Sequence, residues 1–177
     1  MAQGIIMRII GIDPGYAILG YGVVEMKVNK LHLIGYGAVR TDSGMDMPNR
    51  LKCLYTGLMD VINEYDPQTA AVEELFFNTN AKTALLVGQA RGAALLACIN
   101  SGLSVYEYTP LQIKQGLTGY GKADKRQMQM MVKTLLRLKD IPKPDDAADA
   151  LAAAICHAHS ADSIGRLENA AVHAGGT

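Results

Sequence analysis

Ile9-Ile10-Gly11-Ile12-Asp13-Pro14-Gly15 is an apolar strand that ends on a carboxylate and runs at once into a turn. The Ile and Gly residues make the strand buried and narrow, while Pro14-Gly15 stops the ladder and turns the backbone. Asp13 is therefore expected at the rim of a sheet. Asp-Pro-Gly is also ordinary turn chemistry, so this aspartate gains meaning only from other acids that reach the same rim.

Working outward, Met7 to Ile12, Ala17 to Glu25 and Leu31 to Val39 read as three strands joined by short connections, an antiparallel meander. Pro48 opens a helix in which Leu51, Leu54, Leu58, Val61, Ile62 and Tyr65 recur at helical spacing up to Asp66-Pro67. The run Thr69 to Phe76 is a fourth strand, and a strand, crossover helix, strand order favours parallel pairing with the sheet. Ala81 to Asn100 is a helix with a strip of small residues at Gly88, Gly92 and Ala93, suited to tight packing within one subunit or to a helix-mediated dimer. Ser104 to Tyr108 is a fifth strand. Pro110 starts a short helix, Gly116 to Gly121 reads as a loop, Lys122 to Leu138 as a basic helix, and Asp145 to about His159 as the last helix.

The 177 residues, 49% of them apolar with mean hydropathy near zero, suit one soluble globular domain. That domain is expected over residues 1–159, and the tail, 160–177, poor in large apolar residues, is expected to be disordered. Cys53, Cys98 and Cys156 are odd in number and set in apolar patterns, which predicts free thiols in a reducing compartment and a cytoplasmic protein. The first residues lack a basic region followed by a long apolar one, and no run of 18 apolar residues occurs, so neither export nor membrane insertion is expected.

Formal net charge is zero, but its distribution is uneven. Between Leu111 and Lys139 seven basic side chains face Asp124 alone, a net of +6, which leaves −6 on the remainder. Such a segment can hold the backbone of a polyanion.

Acids recur at two further points. Glu73 and Glu74 lie near the end of the fourth strand, and because successive strand residues face opposite ways, only one of them can share a face with Asp13. Asp146 and Asp149 are three apart at the start of the last helix and project from one side of it. Ordinary capping and helix-dipole effects account for acids at Asp145 and Asp146. They account less well for Asp149, whose Ala neighbours predict a helix lying close against a sheet. A buried carboxylate there needs a cation partner or a shifted pKa. Oxygen ligands of this kind suit Mg²⁺ or Mn²⁺ and phosphoryl chemistry. Phe76-Phe77, the only phenylalanines, adjoin a loop-like Asn78-Thr79-Asn80, where an exposed ring could stack on bases. Cys156-His157-Ala158-His159 has the wrong spacing for a zinc site.

Gly11-Ile12-Asp13-Pro14-Gly15, Ala71-Val72-Glu73-Glu74-Leu75-Phe76, Gly88-Gln89-Ala90-Arg91-Gly92 and Asp145-Asp146-Ala147-Ala148-Asp149-Ala150-Leu151-Ala152, in that order and spacing, closely resemble the RuvC-type Holliday junction resolvases. The similarity runs from about Met7 to His159. It implies an α/β, RNase H-like fold with a five-stranded mixed sheet flanked by helices. It also implies a homodimeric, Mg²⁺-dependent endonuclease, with Mn²⁺ able to substitute and two ions per active site. Such an enzyme resolves four-way DNA junctions by paired hydrolysis of strands of like polarity during recombination and repair. Branch-migration proteins of the RuvA and RuvB type are implied partners. Carried over by residue, the catalytic and metal-holding acids fall on Asp13, Glu73, Asp146 and Asp149, the DNA-contacting lysines on Lys114 and Lys125, and the base-contacting aromatic on Phe76. Some family members carry His at the last acidic position, so Asp149 marks an all-carboxylate variety.

Overall fold

The computed structural model describes residues 6–28, 30–74 and 81–174, with side chains as far as Ala161. β1 (Met7–Pro14), β2 (Ile18–Lys27) and β3 (Lys30–Arg40) form the expected antiparallel meander, while β4 (Thr69–Glu73) and β5 (Ser104–Tyr108) run parallel to β1. The sheet order is β3-β2-β1-β4-β5, so the stretch that opens the sequence is its central strand.

Pro14 does not stop the ladder where expected: it is the last residue of β1 and pairs with Leu19. Pairing of β1 with β4 runs from Ile9 opposite Thr69 to Ile12 opposite Val72, so Pro14 lies beyond it and its missing N–H costs no ladder bond on that side.

α1 (Met47–Tyr65) crosses from β3 to β4. Its cap is Asp46, whose side chain accepts from the Asn49 N–H at 3.0 Å, and it ends at Asp66 in the left-handed region. α2 (Ala81–Asn100) joins β4 to β5. It is long and apolar enough by composition to cross a membrane, yet Ala90, Ala94, Ala97 and Cys98 face the core and the Arg91 guanidinium pairs with Glu107 at 2.8 Å.

α3 (Pro110–Thr118) and α4 (Lys125–Leu135) each start in a capping box, Thr109 with Gln112 and Asp124 with Gln127. These caps correct two boundaries. The glycine loop is shorter than expected because Gly116 lies inside α3, where a Cβ would come 2.9 Å from Cys156 Sγ, and Gly119 at φ 77° is the true stop. The basic helix starts at Lys125 rather than Lys122 because Asp124 is its cap.

α5 (Asp145–Ala174) continues past the expected end near His159. The shortage of large apolar residues removed a packing signal, but residues 160–174 still contain no proline and several strong helix formers.

Two apolar layers enclose the sheet. Ile10, Ile12, Val23, Ala70 and Val72 pack with α1 and α2, while Ile9, Val24 and Ala71 pack with α3, α4 and α5. Each fully buried Ile contributes roughly 1.5–3 kcal/mol. From Ala147 to Ala158, α5 is buried almost all round, between the sheet on one side and α3 and α4 on the other.

Candidate active site

That burial requires α5 to approach the sheet more closely than side chains permit. At Gly11 an added Cβ would stand 2.8 Å from the Ala154 nitrogen and closer still to the Ala150 carbonyl oxygen. At Gly20 it would stand 2.8 Å from the Asp146 Cβ and closer to the Asp146 carbonyl. The glycines strip the sheet where the alanines strip the helix. Gly20 also pairs with Asp13, and directly paired residues share a face, so the Asp13 side chain projects toward the start of α5.

The same alternation resolves which glutamate joins it. Gly11 is level with Ala71 and Ile12 with Val72, so one step further Asp13 is level with Glu73. Gly11 and Ala71 face the α5 layer and Ile12 and Val72 the opposite one, so Asp13 and Glu73 share the α5 face. Glu74 lies past the end of β4, with its N–H donating to the Tyr108 carbonyl at 2.8 Å.

The electrostatics agree with this geometry. Burial first, then the nearby charges of Glu73, Asp149 and Asp146, push the Asp13 carboxyl up to about 7, with Lys125 opposing. Burial and Asp149 raise Glu73 against Lys114 and Lys125. Burial likewise raises Asp149, opposed mainly by Lys125. The expected cation partner of Asp149 is present: the Lys125 ammonium lies 3.2 Å from its Oδ2. Both shift and partner, offered from sequence as alternatives, therefore occur together.

Asp145 behaves differently. Its carboxylate lies below the usual range because the Lys143 ammonium bonds its Oδ1 at 2.7 Å, and Lys125 stands 3.5 Å from its Oδ2. It does not figure among the charges acting on Asp13 or Glu73. This Lys143–Asp145–Lys125 linkage was not read from sequence; the only signal was a lysine and an aspartate on either side of Pro144.

Asp13, Glu73, Asp146 and Asp149 thus form one electrostatically coupled group, with Lys114 on α3 and Lys125 on α4 beside it. Among the described residues no three such side chains close into a finished ligand cage. The excess of negative charge around a largely buried Asp13, made only of carboxylate oxygens, nevertheless fits a hard divalent cation. Phe76 lies outside the described residues. In the Cys156-His157-Ala158-His159 stretch, His157 is buried, with Nδ1 2.7 Å from the Tyr108 hydroxyl and its ring stacked on Tyr106, while His159 Nδ1 is 3.0 Å from the Gly116 carbonyl oxygen.

A family model described as crossover junction endodeoxyribonuclease RuvC matches residues 9–157. The protein of that name from Caldanaerobacter subterraneus subsp. tengcongensis is 59% identical over 161 residues, covering 91% of this chain and 98% of the relative. The Thermus thermophilus RuvC structure superposes with a TM-score of 0.82 at 38% identity, over 89% of this chain and 96% of that one. The structure of T. thermophilus RuvC in complex with Holliday junction substrate gives a TM-score of 0.80 over the same shares. With its five-stranded mixed sheet of the RNase H-like type, this chain belongs to the RuvC family of crossover junction endodeoxyribonucleases.

Proposed function

We propose that Asp13, Glu73, Asp146 and Asp149 are the catalytic and metal-holding residues with which this endodeoxyribonuclease cuts a four-way DNA junction. The observation that carries the reading is the strand register, which brings Glu73 level with Asp13 on the face covered by the start of α5. Two Mg²⁺ ions, replaceable by Mn²⁺, would supply an activated water and a counter-charge for the leaving oxygen of an in-line displacement. The chain's own contribution is placement. Two strand ends and one helix start hold four carboxylates at a common rim, and Lys114 and Lys125 bind backbone phosphates of the DNA. Phe76 contacts bases near the junction centre.

The catalytic unit is residues 1–159, and the protein works as a homodimer that nicks two strands of like polarity. The outer side of α2 supports dimerisation: Leu85, Leu96 and Ile99 are exposed in register with Gly92, which has open space around it. Cytoplasmic location accords with a DNA substrate and with free Cys53, Cys98 and Cys156. Branch-migration proteins of the RuvA and RuvB type are the further partners that family membership supports.

The test is cleavage of a labelled synthetic junction beside a linear duplex of the same sequence, with Mg²⁺ or EDTA. Symmetric nicks confined to the junction and dependent on metal are expected, and Glu73→Gln should remove them while sparing binding. Cleavage retained by Glu73→Gln, with Glu74→Gln inactive, would overturn the assignment.

A further inference from the structure

We propose that Asp145 is a positioning residue for Lys125: it holds the Lys125 ammonium beside the acid group and receives it when a divalent cation claims Asp149. The inference rests on the reading that Asp149 is a metal ligand. Asp145 and Asp149 are four residues apart on α5 and so lie on one side of the helix. The Lys125 Nζ sits between them, 3.5 Å from Asp145 Oδ2 and 3.2 Å from Asp149 Oδ2.

The two carboxylates are not equivalent. Asp149 is among the charges that act on Asp13 and Glu73, whereas Asp145 acts on Asp149 but on neither of those two, and has its second oxygen held by Lys143 at 2.7 Å. Asp145, bonded through its other oxygen to Lys143, is an acceptor that a cation held by Asp13, Glu73 and Asp149 need not consume. On the other side, Lys125 is the first residue of α4, and the Asp124–Gln127 capping box immobilises its backbone. Only the side chain has to swing. A lysine whose sole partner was Asp149 would either exclude the cation or be set free by it, losing its aim at the phosphate. With three ammonium donors and a second acceptor alongside, Lys125 can release Asp149 and remain beside the acid group. Metal entry and lysine placement are coupled through Asp145.

The test is Mn²⁺ titration of the DNA-free full-length protein by calorimetry, for the wild type, Lys125→Ala, Asp145→Asn and the double variant, with thermal melts to confirm folding. Lys125→Ala should tighten Mn²⁺ binding by about two- to five-fold, the range that an exposed ion pair carries. Asp145→Asn should weaken it by a similar factor, and that weakening should vanish when Lys125 is already Ala. Equal weakening with and without Lys125 would mean that Asp145 acts only through its charge, and would overturn the inference while leaving the metal site intact. Failure of the wild type to bind Mn²⁺ at all would overturn the metal reading and this inference with it.

Discussion

Replacing Asp13 by Asn should inactivate the protein and, without metal, make it more stable. The Asp13 carboxyl moves from 3.8 to about 7 on folding, through burial and three neighbouring acids. Below pH 4 the group is protonated in both states. Between pH 4 and 7 the unfolded chain releases a proton that the folded chain keeps, so stability falls as pH rises through that window. Three pH units correspond to about 4 kcal/mol of lost stability above pH 7. An amide of nearly the same shape removes the charge and with it the loss. In EDTA at pH 8 the Asn variant should melt roughly 10 °C higher than the wild type, and the gap should close as pH approaches 4. Melting curves followed by circular dichroism across this range measure it, and taking the difference between the two proteins cancels titrations that both share. Adding Mg²⁺ at pH 8 should stabilise the wild type more than the variant. A variant no more stable than the wild type at pH 8 in EDTA, or a gap that does not change with pH, would refute the reasoning.

Gly20→Ala puts a methyl group against Asp146, 2.8 Å from its Cβ, and should displace the start of α5; a cost of about 1–3 kcal/mol is expected in melting, with cleavage down by about 10²-fold and junction binding kept. Wild-type cleavage rates in that variant would show that the close approach is not what places the acid. Lys114→Ala and Lys125→Ala should each weaken junction binding and reduce the slope of log affinity against log salt by about 1, measured between 50 and 200 mM salt. Burial lowers His157 to about 4, so between pH 6.5 and 4 the unfolded chain gains a proton that the folded one refuses, and stability falls with falling pH. His157→Phe, which keeps a ring against Tyr106, should flatten that acid limb.

The fold was largely legible because its signals are local. Alternation and helical spacing marked all five strands and every helix, with α2 and β5 matching to the residue. The boundaries that differed had both local and long-range causes: the Asp124 cap sets the start of α4, whereas others depend on distant neighbours. Pro14 stays in β1 because β4 has already ended beside it, and the glycine at 116, inside α3, leaves room for Cys156 on α5. In α5 the last turns follow intrinsic propensity where the search for a packed stripe had ended the helix early.

The site was legible as a set of residue types and illegible as an arrangement. Asp13 and Asp146 each had an ordinary local explanation, turn chemistry for the one and a helix start for the other. Period-two alternation could say that one glutamate faced Asp13, but not which, because the answer depends on how β4 slides along β1. One step of slippage would exchange Glu73 for Glu74. The resemblance named Glu73, and the pairing of Ile12 with Val72 puts that glutamate, rather than Glu74, on the face that Asp13 shares. The distance of Asp146 from Asp13 is set by neither acid. It depends on Gly20 and the alanines of α5, whose absent side chains let a helix begin directly over the sheet rim. Substitutions at the acids therefore test the chemistry, whereas substitutions at Gly11 and Gly20 test the placement. A protein in which the acids are intact and Gly20 is enlarged separates the two.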